Sequence, residues 1–236
     1  MTKYELIPAC ILHRRDYRNT SLLLELFTPQ WGRLPAIAKG VKTGRSNRAA
    51  LLQPFTPLLV SLSGRGEIQQ LGQAEEEGRA YRLTGERLYC GFYVNELVLR
   101  LLERRDPYPD LYKHYLQTLA RLASEESADQ SLRDFEIQLM IELGYGMLLD
   151  HTADTGEPVV ADQLYHYVIE QGPVSGSLVP MDQRIHGRTL LCLHNRELLD
   201  ETGAGEAKRL MRRVLAHYLG NKPLKSRELF QGLKKT

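Results

Sequence analysis

Residues 21–38 read SLLLELFTPQWGRLPAIA, and their pattern is the clearest indication of the fold. Two runs rich in leucine, alanine and isoleucine flank TPQWG, whose proline and glycine suit a chain reversal, so the stretch predicts two strands joined by a turn. Similar strand-like runs stand on both sides of it: ELIPACILHRR before, and PFTPLLVSLSG and GEIQQLGQAE after. Turn-forming residues in DYRNT and SGRG bound these runs. The first 78 residues therefore predict a small barrel of five strands.

The rest of the chain reads as mainly helical. Apolar residues recur at spacings of three and four in LYCGFYVNELVLRLLE, DLYKHYLQTLARLAS, SLRDFEIQLMIELGYG and GEAKRLMRRVLAHYLG. We expect Ser131 to cap the third of these helices and Gly144 to end it. The predicted fold is thus α+β with two domains: an N-terminal five-stranded OB-fold β-barrel over residues 1–78, and an α-helical domain over residues 79–236 with a small β-hairpin insertion around residues 151–189.

The composition is that of an ordinary folded protein, with 42% hydrophobic and 25% charged residues. Its apolar runs are shorter than the roughly 18 residues that span a bilayer, and the start MTKYELIPAC lacks the basic-then-apolar order of a signal peptide. We therefore expect a cytoplasmic protein without membrane contact. Cys10, Cys90 and Cys192 are far apart and odd in number, so they predict neither a disulfide framework nor a metal knuckle.

Positive charge is concentrated at the two ends of the chain. Residues 1–48 hold nine basic and three acidic residues, a net +6, and residues 204–236 hold nine basic and two acidic residues, a net +7. The middle of the chain must then carry −11, because the formal net charge is +2. Such segregation predicts a basic face in each terminal region, and basic faces of this kind most often bind nucleic acid.

A basic segment without any acid follows the predicted hairpin, in AIAKGVKTGRSNRAALLQPF, residues 36–55. Its cations are spaced three apart and interrupted by glycines, which predicts a loop that contacts phosphates. Trp31 stands beside Arg33 and would offer a plane for base stacking, or would pack against its own barrel. The candidate DNA contacts of this region are Arg14, Trp31, Arg33, Lys39, Lys42, Arg45 and Arg48.

A second basic cluster lies near the end of the chain, in the last helix and in KPLKSRELF. It would lengthen the DNA path and screen the repulsion between two phosphate backbones during annealing, or it would dock on the acidic middle of the chain. Its candidate DNA contacts are Lys208, Arg212, Lys222, Lys225 and Arg227.

Several stretches together resemble the RecO family of recombination mediator proteins. They are SLLLELFTPQWGRLPAIAKG followed by the basic loop and ALLQPFTPLL, then LYCGFYVNELVLRLLE, LRDFEIQLMIELGYG, the GEPV turn at residues 156–159, and GNKPLKSRELF at residues 220–230. The likeness runs in consistent order from about Ala9 to Phe230. The chain is therefore identified as resembling this family over nearly its whole length.

The resemblance implies a protein of DNA repair and recombination, without catalytic chemistry or cofactor, that acts after DNA damage. Such a protein binds single- and double-stranded DNA, anneals complementary strands and, with its partner RecR, helps load RecA onto DNA coated by single-stranded-DNA-binding protein (SSB). We expect it to associate with the nucleoid during repair.

The family also binds the acidic, Phe-ended tail of SSB in the helical domain. By resemblance, Arg133 is the candidate contact for this tail and Arg121 a weaker one, since a planar guanidinium can hold both oxygens of a terminal carboxylate. Each would otherwise be an ordinary helix arginine paired with a nearby acid. Some family members bind zinc through four cysteines, but the matching residues 151–179 contain none, and His151 and His166 cannot supply four ligands. We therefore expect no metal.

Three other functions remain open from the sequence. An enzyme using magnesium would need convergent carboxylates, but Glu75, Glu76 and Glu77 are consecutive and would point in different directions. A general OB-fold single-strand binding protein, for RNA or DNA, would share the same phosphate contacts without a mediator role. A scaffold for RecR would bind little DNA of its own.

Overall fold

The computed structural model describes residues 2–42, 48–176, 179–220 and 222–228. The chain forms two compact units, Met1–Glu125 with Pro223–Thr236, and Glu126–Lys222. The predicted domain boundary near residue 78 lies where strands give way to helices, and as a boundary between domains it stays a prediction. Within the described ranges, no helix has both the length and the apolar character needed to cross a membrane.

The first unit contains a closed five-stranded barrel, which confirms the predicted α+β fold class. Its strands are β1 (Thr2–Tyr17), β2 (Ser21–Thr28), β3 (Gly32–Ala38), β4 (Pro57–Gly64) and β5 (Gln69–Glu76). They are ordered β1-β2-β3-β5-β4, with β3 and β5 parallel and the other described pairs antiparallel. A one-turn helix, α1 (Arg48–Leu51), lies between β3 and β4. A barrel of five strands agrees with the OB-fold prediction.

Alternation along the strands fills the barrel. Successive side chains of a strand point to opposite faces, so every second residue of β2 and β3 enters the core. The inward residues include Leu22, Leu24, Leu26, Leu34, Ala36 and Ala38, all at most 5% exposed. The intervening residues, such as Leu23 and Ile37, face outward and are half-buried. The outer face of β1, β2 and β3 is therefore available to other groups.

Two helices cover one end of that outer face. Phe27 points outward at the end of β2 and is fully buried against Tyr112 and Tyr115 of α3 (Pro109–Leu122), with ring centres 5.3 and 5.7 Å away. Asn95 of α2 (Gly85–Leu101) donates to the Leu12 carbonyl at 2.9 Å and accepts from the Tyr115 hydroxyl at 2.8 Å. These contacts join both helices to the barrel.

The connection between α2 and α3 approaches the β2–β3 turn very closely. A Cβ atom on Gly32 would lie 1.9 Å from the Asp106 carbonyl oxygen, and Gly32 has φ +57°. Only glycine fits both conditions without strain. The Arg105 amide donates to the Arg33 carbonyl at 3.1 Å, so this connection continues the sheet beside β3.

The second unit combines three helices with a small sheet. Its elements are α4 (Ala128–Glu142), β6 (Leu164–Val168), β7 (Gly172–Val174), β8 (Arg184–His186), α5 (Gly187–Asn195) and α6 (Glu201–Leu219). The predicted hairpin insertion is a three-stranded antiparallel sheet ordered β7-β6-β8, because the three residues of β8 add a further strand. The helix α5 was not predicted from the sequence.

The start of α4 differs from the prediction, whereas its end agrees. The N-cap is Ser127, whose side chain accepts from the Gln130 amide, and Ser131 lies fully buried within the helix. Sequence reasoning chose the wrong serine because both precede the apolar run. The helix gives way at Gly144, which adopts φ +81° and so provides the left-handed residue that ends many helices.

The segment after α6 returns to the first unit. The Pro223 carbonyl accepts from Arg100 of α2 at 3.1 Å, and Leu224 is 2% exposed. Residues 225–228 form a helical turn whose first amides, those of Lys225 and Ser226, donate to the Glu96 carboxylate at 2.9 and 2.8 Å. A carboxylate at a helix N-terminus is favourable because it accepts from otherwise unpaired amides.

Candidate nucleic-acid interface

The uncovered part of the barrel's outer face spans three neighbouring strands. Arg15 pairs with Leu23 in register, and Leu23 pairs with Ile37, so their side chains stand side by side. Arg15 is exposed, whereas Leu23 and Ile37 are half-buried. Two residues further along β1, Tyr17 lies opposite Ser21 of β2. This outer face, Arg15, Tyr17, Leu23 and Ile37, offers apolar and aromatic surface next to a cation.

Further cations border this outer face at the β1–β2 turn. The guanidinium carbon of Arg18 lies 5.3 Å from the centre of the Tyr17 ring, a cation–π distance. Lys39 leaves the end of β3, is exposed, and donates to the Gln70 side chain at 2.8 Å. The Lys42 amide donates to the Thr20 carbonyl at 3.1 Å, so the basic loop begins beside the turn. Phosphates can therefore be bound at this end of the face while bases contact its aromatic and apolar side chains.

Sequence reasoning missed Arg15, Tyr17 and Arg18 as candidate contacts. The signal was present in HRRDYR, residues 13–18, where alternation places every second side chain on one side of a strand. The acid-free segment after β3 dominates the charge pattern of this region and obscures that signal. The structure shows that β1 supplies cations to the same end of the barrel as Lys39 and Lys42.

Two of the predicted DNA contacts bind the backbone of the barrel unit. Arg14 is half-buried and donates to the Ala49 and Leu52 carbonyls at 3.1 and 3.0 Å, at the C-terminal end of α1. Arg48 is half-buried and donates to the Gly72 carbonyl. Their DNA contacts stay predictions, but these side chains already have a structural role. Arg45 lies outside the described residues.

Lys42 and Trp31 have contrasting surroundings. Lys42 forms an ion pair with Asp16 at 2.7 Å, so part of its charge is compensated. Trp31 is 45% exposed and packs edge-on against Tyr4, with ring centres 4.9 Å apart. It precedes β3 whereas Lys39 follows β3, so eight residue steps separate them, about 26 Å of chain at 3.3 Å per residue. Among the described residues, the structure does not bring Trp31 together with Lys39 or Lys42.

Arg33 belongs to a mixed-charge cluster on the outer side of the barrel. Its Nη1 atom lies 4.0 Å from Glu25 Oε2, and Arg104 Nη2 lies 2.6 Å from Glu25 Oε1. Burial lowers the pKa of Arg33, although the nearby Glu25 carboxylate acts in the opposite direction. The Arg104 side chain is 49% exposed. Arg104 was not predicted as a functional residue, because no sequence pattern links the α2–α3 connection to β2.

The predicted C-terminal basic cluster is divided between the two units. Lys208 and Arg212 are exposed on α6, and Lys208 approaches Asp129 at 3.4 Å. Lys222, also exposed, ends the second unit. Lys225 is exposed and Arg227 half-buried, and both belong to the first unit. Their roles in DNA binding stay predictions.

The two arginines predicted to bind the SSB tail lie in different units. Arg133 is 5% exposed and forms an ion pair within α4 with Glu136, which is fully buried. Arg121 is half-buried in the last turn of α3. Arg133 is thus paired with a nearby acid, as its alternative interpretation held, but it is buried rather than on the helix surface. Its role in tail binding stays a prediction.

Acidic residues do not form a metal site within the part of the chain that the structure describes. No three His, Cys, Asp or Glu side chains there lie close enough to hold an ion. Glu75 and Glu76 are exposed on successive positions of β5, so their side chains point to opposite faces.

Comparison with known proteins gives matches over both parts of the chain. Residues 1–77 match the family model described as Recombination protein O N terminal, and residues 82–228 match Recombination protein O C terminal. The chain is 50% identical to DNA repair protein RecO of Methylococcus capsulatus, over 94% of this chain and 91% of that protein. It is 48% identical to DNA repair protein RecO of Nitrosococcus oceani, over 97% and 93%, and 46% identical to that of Haemophilus influenzae, over 96% and 95%.

Proposed function

Since the chain belongs to the RecO family of DNA repair proteins, we propose that it is a recombination mediator that binds single- and double-stranded DNA and anneals complementary strands. The observation that carries this proposal is the outer face of the barrel, where Arg15, Arg18 and Lys39 border a half-buried aromatic and apolar surface. Aromatic planes combined with cations are the features that bind single strands without sequence preference.

The proposed mechanism of DNA binding divides the contacts by chemistry. Arg15, Arg18 and Lys39 bind phosphates, which fixes the path of the strand without reading its sequence. Tyr17, stacked under Arg18, supports a base. Unpaired bases remain accessible to a second strand, as annealing requires. Of the other predicted contacts, Lys42 lies at the same end of the barrel and would exchange Asp16 for a phosphate.

Annealing also requires that the repulsion between two phosphate backbones be screened. Lys208 and Arg212 on α6, with Lys222, supply exposed positive charge in the second unit. We assign to these three residues the contacts to a second strand or to duplex DNA. Their binding would depend on salt because it releases counterions from the DNA.

The proposed partners follow from family membership. With RecR, the protein would help load RecA onto single-stranded DNA coated by SSB, in the cytoplasm and on the nucleoid during repair of damaged DNA. The acidic tail of SSB would be bound by Arg121 or Arg133. Arg133 is paired with buried Glu136. A contact between Arg133 and the tail therefore requires that this ion pair open, or that the carboxylate of the tail approach the edge of the Arg133 guanidinium.

Fluorescence anisotropy with labelled single-stranded DNA, and separately with a labelled SSB tail peptide, tests this function across a salt series. We expect both to bind, DNA affinity to fall steeply with salt, and the protein to accelerate annealing of complementary strands. Peptide binding should weaken in whichever of the variants Arg121→Ala and Arg133→Ala removes the contact to the tail. The control is Lys113→Ala, which removes an exposed charge from α3 and should bind the peptide as the wild type does. Failure of the peptide to bind, together with equal competition by RNA, would instead indicate a general single-strand binding protein.

A further inference from the structure

An acidic residue lies where the open outer face that is proposed to bind DNA ends, next to the part that α3 covers. Glu25 occupies the β2 position two residues beyond Leu23, on the same side of the strand. A carboxylate there repels phosphate, unless its charge is neutralised by neighbouring cations. Arg33 and Arg104 are those neighbours, at 4.0 and 2.6 Å from its two oxygens. These three side chains together carry a charge of +1, and the Glu103 carboxylate also acts on Arg33.

The two arginines are held in place by the backbone as well as by Glu25. Arg33 lies in β3, and its carbonyl accepts from the Arg105 amide at 3.1 Å. Arg33 and Arg104 form an isolated parallel bridge, so their Cα atoms are fixed as neighbours. The Arg33 Nε atom is buried without a hydrogen-bond partner, and Glu25 Oε2 likewise. The pairing of these groups is thus incomplete, although the backbone holds the two arginines next to each other.

Exposure distinguishes the two arginines. The Arg33 side chain is 14% exposed, which suits a buried source of positive charge, whereas the Arg104 side chain is 49% exposed. An anion that approaches the outer face reaches Arg104 first. Glu25 is 18% exposed, so its carboxylate already accepts from Arg104 near the surface.

We propose that Glu25, Arg33 and Arg104 form a phosphate subsite, in which a phosphodiester of single-stranded DNA binds Arg104 in competition with the Glu25 carboxylate. This inference rests on the proposed function and extends the strand path across the face toward the α2–α3 connection. Arg33 contributes positive charge from its more buried position, and Glu25 acts as the counterion of both arginines when no DNA is bound. Glu25 thereby limits the affinity of the subsite for anions.

The spacing along β2 supports one continuous strand path. Ser21, at the turn that carries Arg18, is four residues from Glu25, which corresponds to about 13 Å at 3.3 Å per residue. Beyond Glu25, Phe27 is covered by α3. The open face thus ends at the subsite, and a strand bound by Arg18 and Arg15 reaches Arg104 within a few nucleotides.

Two substitutions with opposite expected effects test the subsite. Arg104→Gln should weaken single-stranded DNA binding about threefold and reduce the slope of log affinity against log salt by about 0.7, the contribution of one phosphate contact. Glu25→Gln should strengthen binding about threefold, because a competing charge is removed. Arg79→Gln, which removes an exposed cation beyond β5, is the matched control and should leave affinity and slope unchanged.

A purely structural ion cluster would give another result. Both variants would then lower the melting temperature and leave DNA affinity within twofold of the control, which would overturn the inference. Arg104→Lys keeps the charge, so in the subsite it should retain most of the DNA affinity. If Arg18→Gln weakens binding but Arg104→Gln does not, the subsite is wrong and the proposed function stands; if neither does, the DNA face itself is wrong.

Discussion

Removal of three of the exposed cations on and beside the barrel's outer face is the most direct perturbation of the proposed DNA site. The variant combines Arg15→Gln, Arg18→Gln and Lys39→Gln. Each contact with a single-strand phosphate contributes about 0.7 to the slope of log affinity against log salt, so three contacts contribute about 2. Over a fourfold rise in salt, from about 50 to about 200 mM, the wild type should therefore lose roughly 20-fold more affinity than the variant does.

The assay is equilibrium anisotropy with a labelled oligonucleotide that lacks secondary structure, at five or more salt concentrations. A matched control carries Arg79→Gln, Arg82→Gln and Lys113→Gln, which remove the same number of exposed charges from the first unit outside this face. Melting curves should agree for all three proteins, since the substituted side chains are exposed. Two results would refute the assignment of phosphate contacts to this face. One is a slope of log affinity against log salt in the outer-face variant that equals that of the wild type. The other is a loss of slope in the control as large as that in the outer-face variant.

Two further predictions concern stability and buried groups. Arg133→Ala should reduce the free energy of unfolding by roughly 3–5 kcal/mol, because it removes the guanidinium that pairs with the buried Glu136 carboxylate. Arg133→Met combined with Glu136→Leu should reduce it far less, since both charges of the pair are then removed. Chemical denaturation measures both losses, and equal losses would contradict the reasoning. Burial raises the pKa of the Cys10 thiol to about 12. As pH rises above 9, the thiol ionises in the unfolded chain before it does so in the folded protein, which favours unfolding. The contribution of Cys10 to the free energy of unfolding is therefore complete below pH 9 and is lost between pH 9 and 12. Wild-type stability should therefore fall by roughly 1 kcal/mol more than that of Cys10→Ala between pH 8 and pH 10, and identical pH profiles would show that Cys10 is not the group responsible.

Much of the barrel could be predicted from local sequence. Residues 21–38 contain the alternation that fills the core and the turn that joins β2 to β3, and both are properties of neighbouring residues. The three residues of β8 and the helix α5 escaped prediction because β8 is too short to show a period and depends on pairing with β6. The capping of α4 by Ser127 was missed because two serines stand close together.

The candidate site was less accessible to sequence reasoning, for reasons of geometry. Lys39 is exposed beside the open face, as an acid-free loop suggests, but Arg14 turns toward the carbonyls of α1. Arg133 is buried although charged residues usually lie outside, and its burial depends on Glu136 one helical turn away. Arg104 reaches Glu25 only because the α2–α3 connection returns to the barrel. Such long-range contacts have no signature in a single sequence.

The return of the C-terminal segment to α2 has a consequence for the timing of folding during synthesis. The first unit is discontinuous, since it consists of residues up to Glu125 and a segment that begins at Pro223, with about a hundred residues between them. At a ribosomal rate of about 5–20 residues per second, roughly 5–20 seconds separate the emergence of these two parts. During that interval α2 lacks the segment that binds Glu96 and Arg100, so the second unit can fold before the first one is complete.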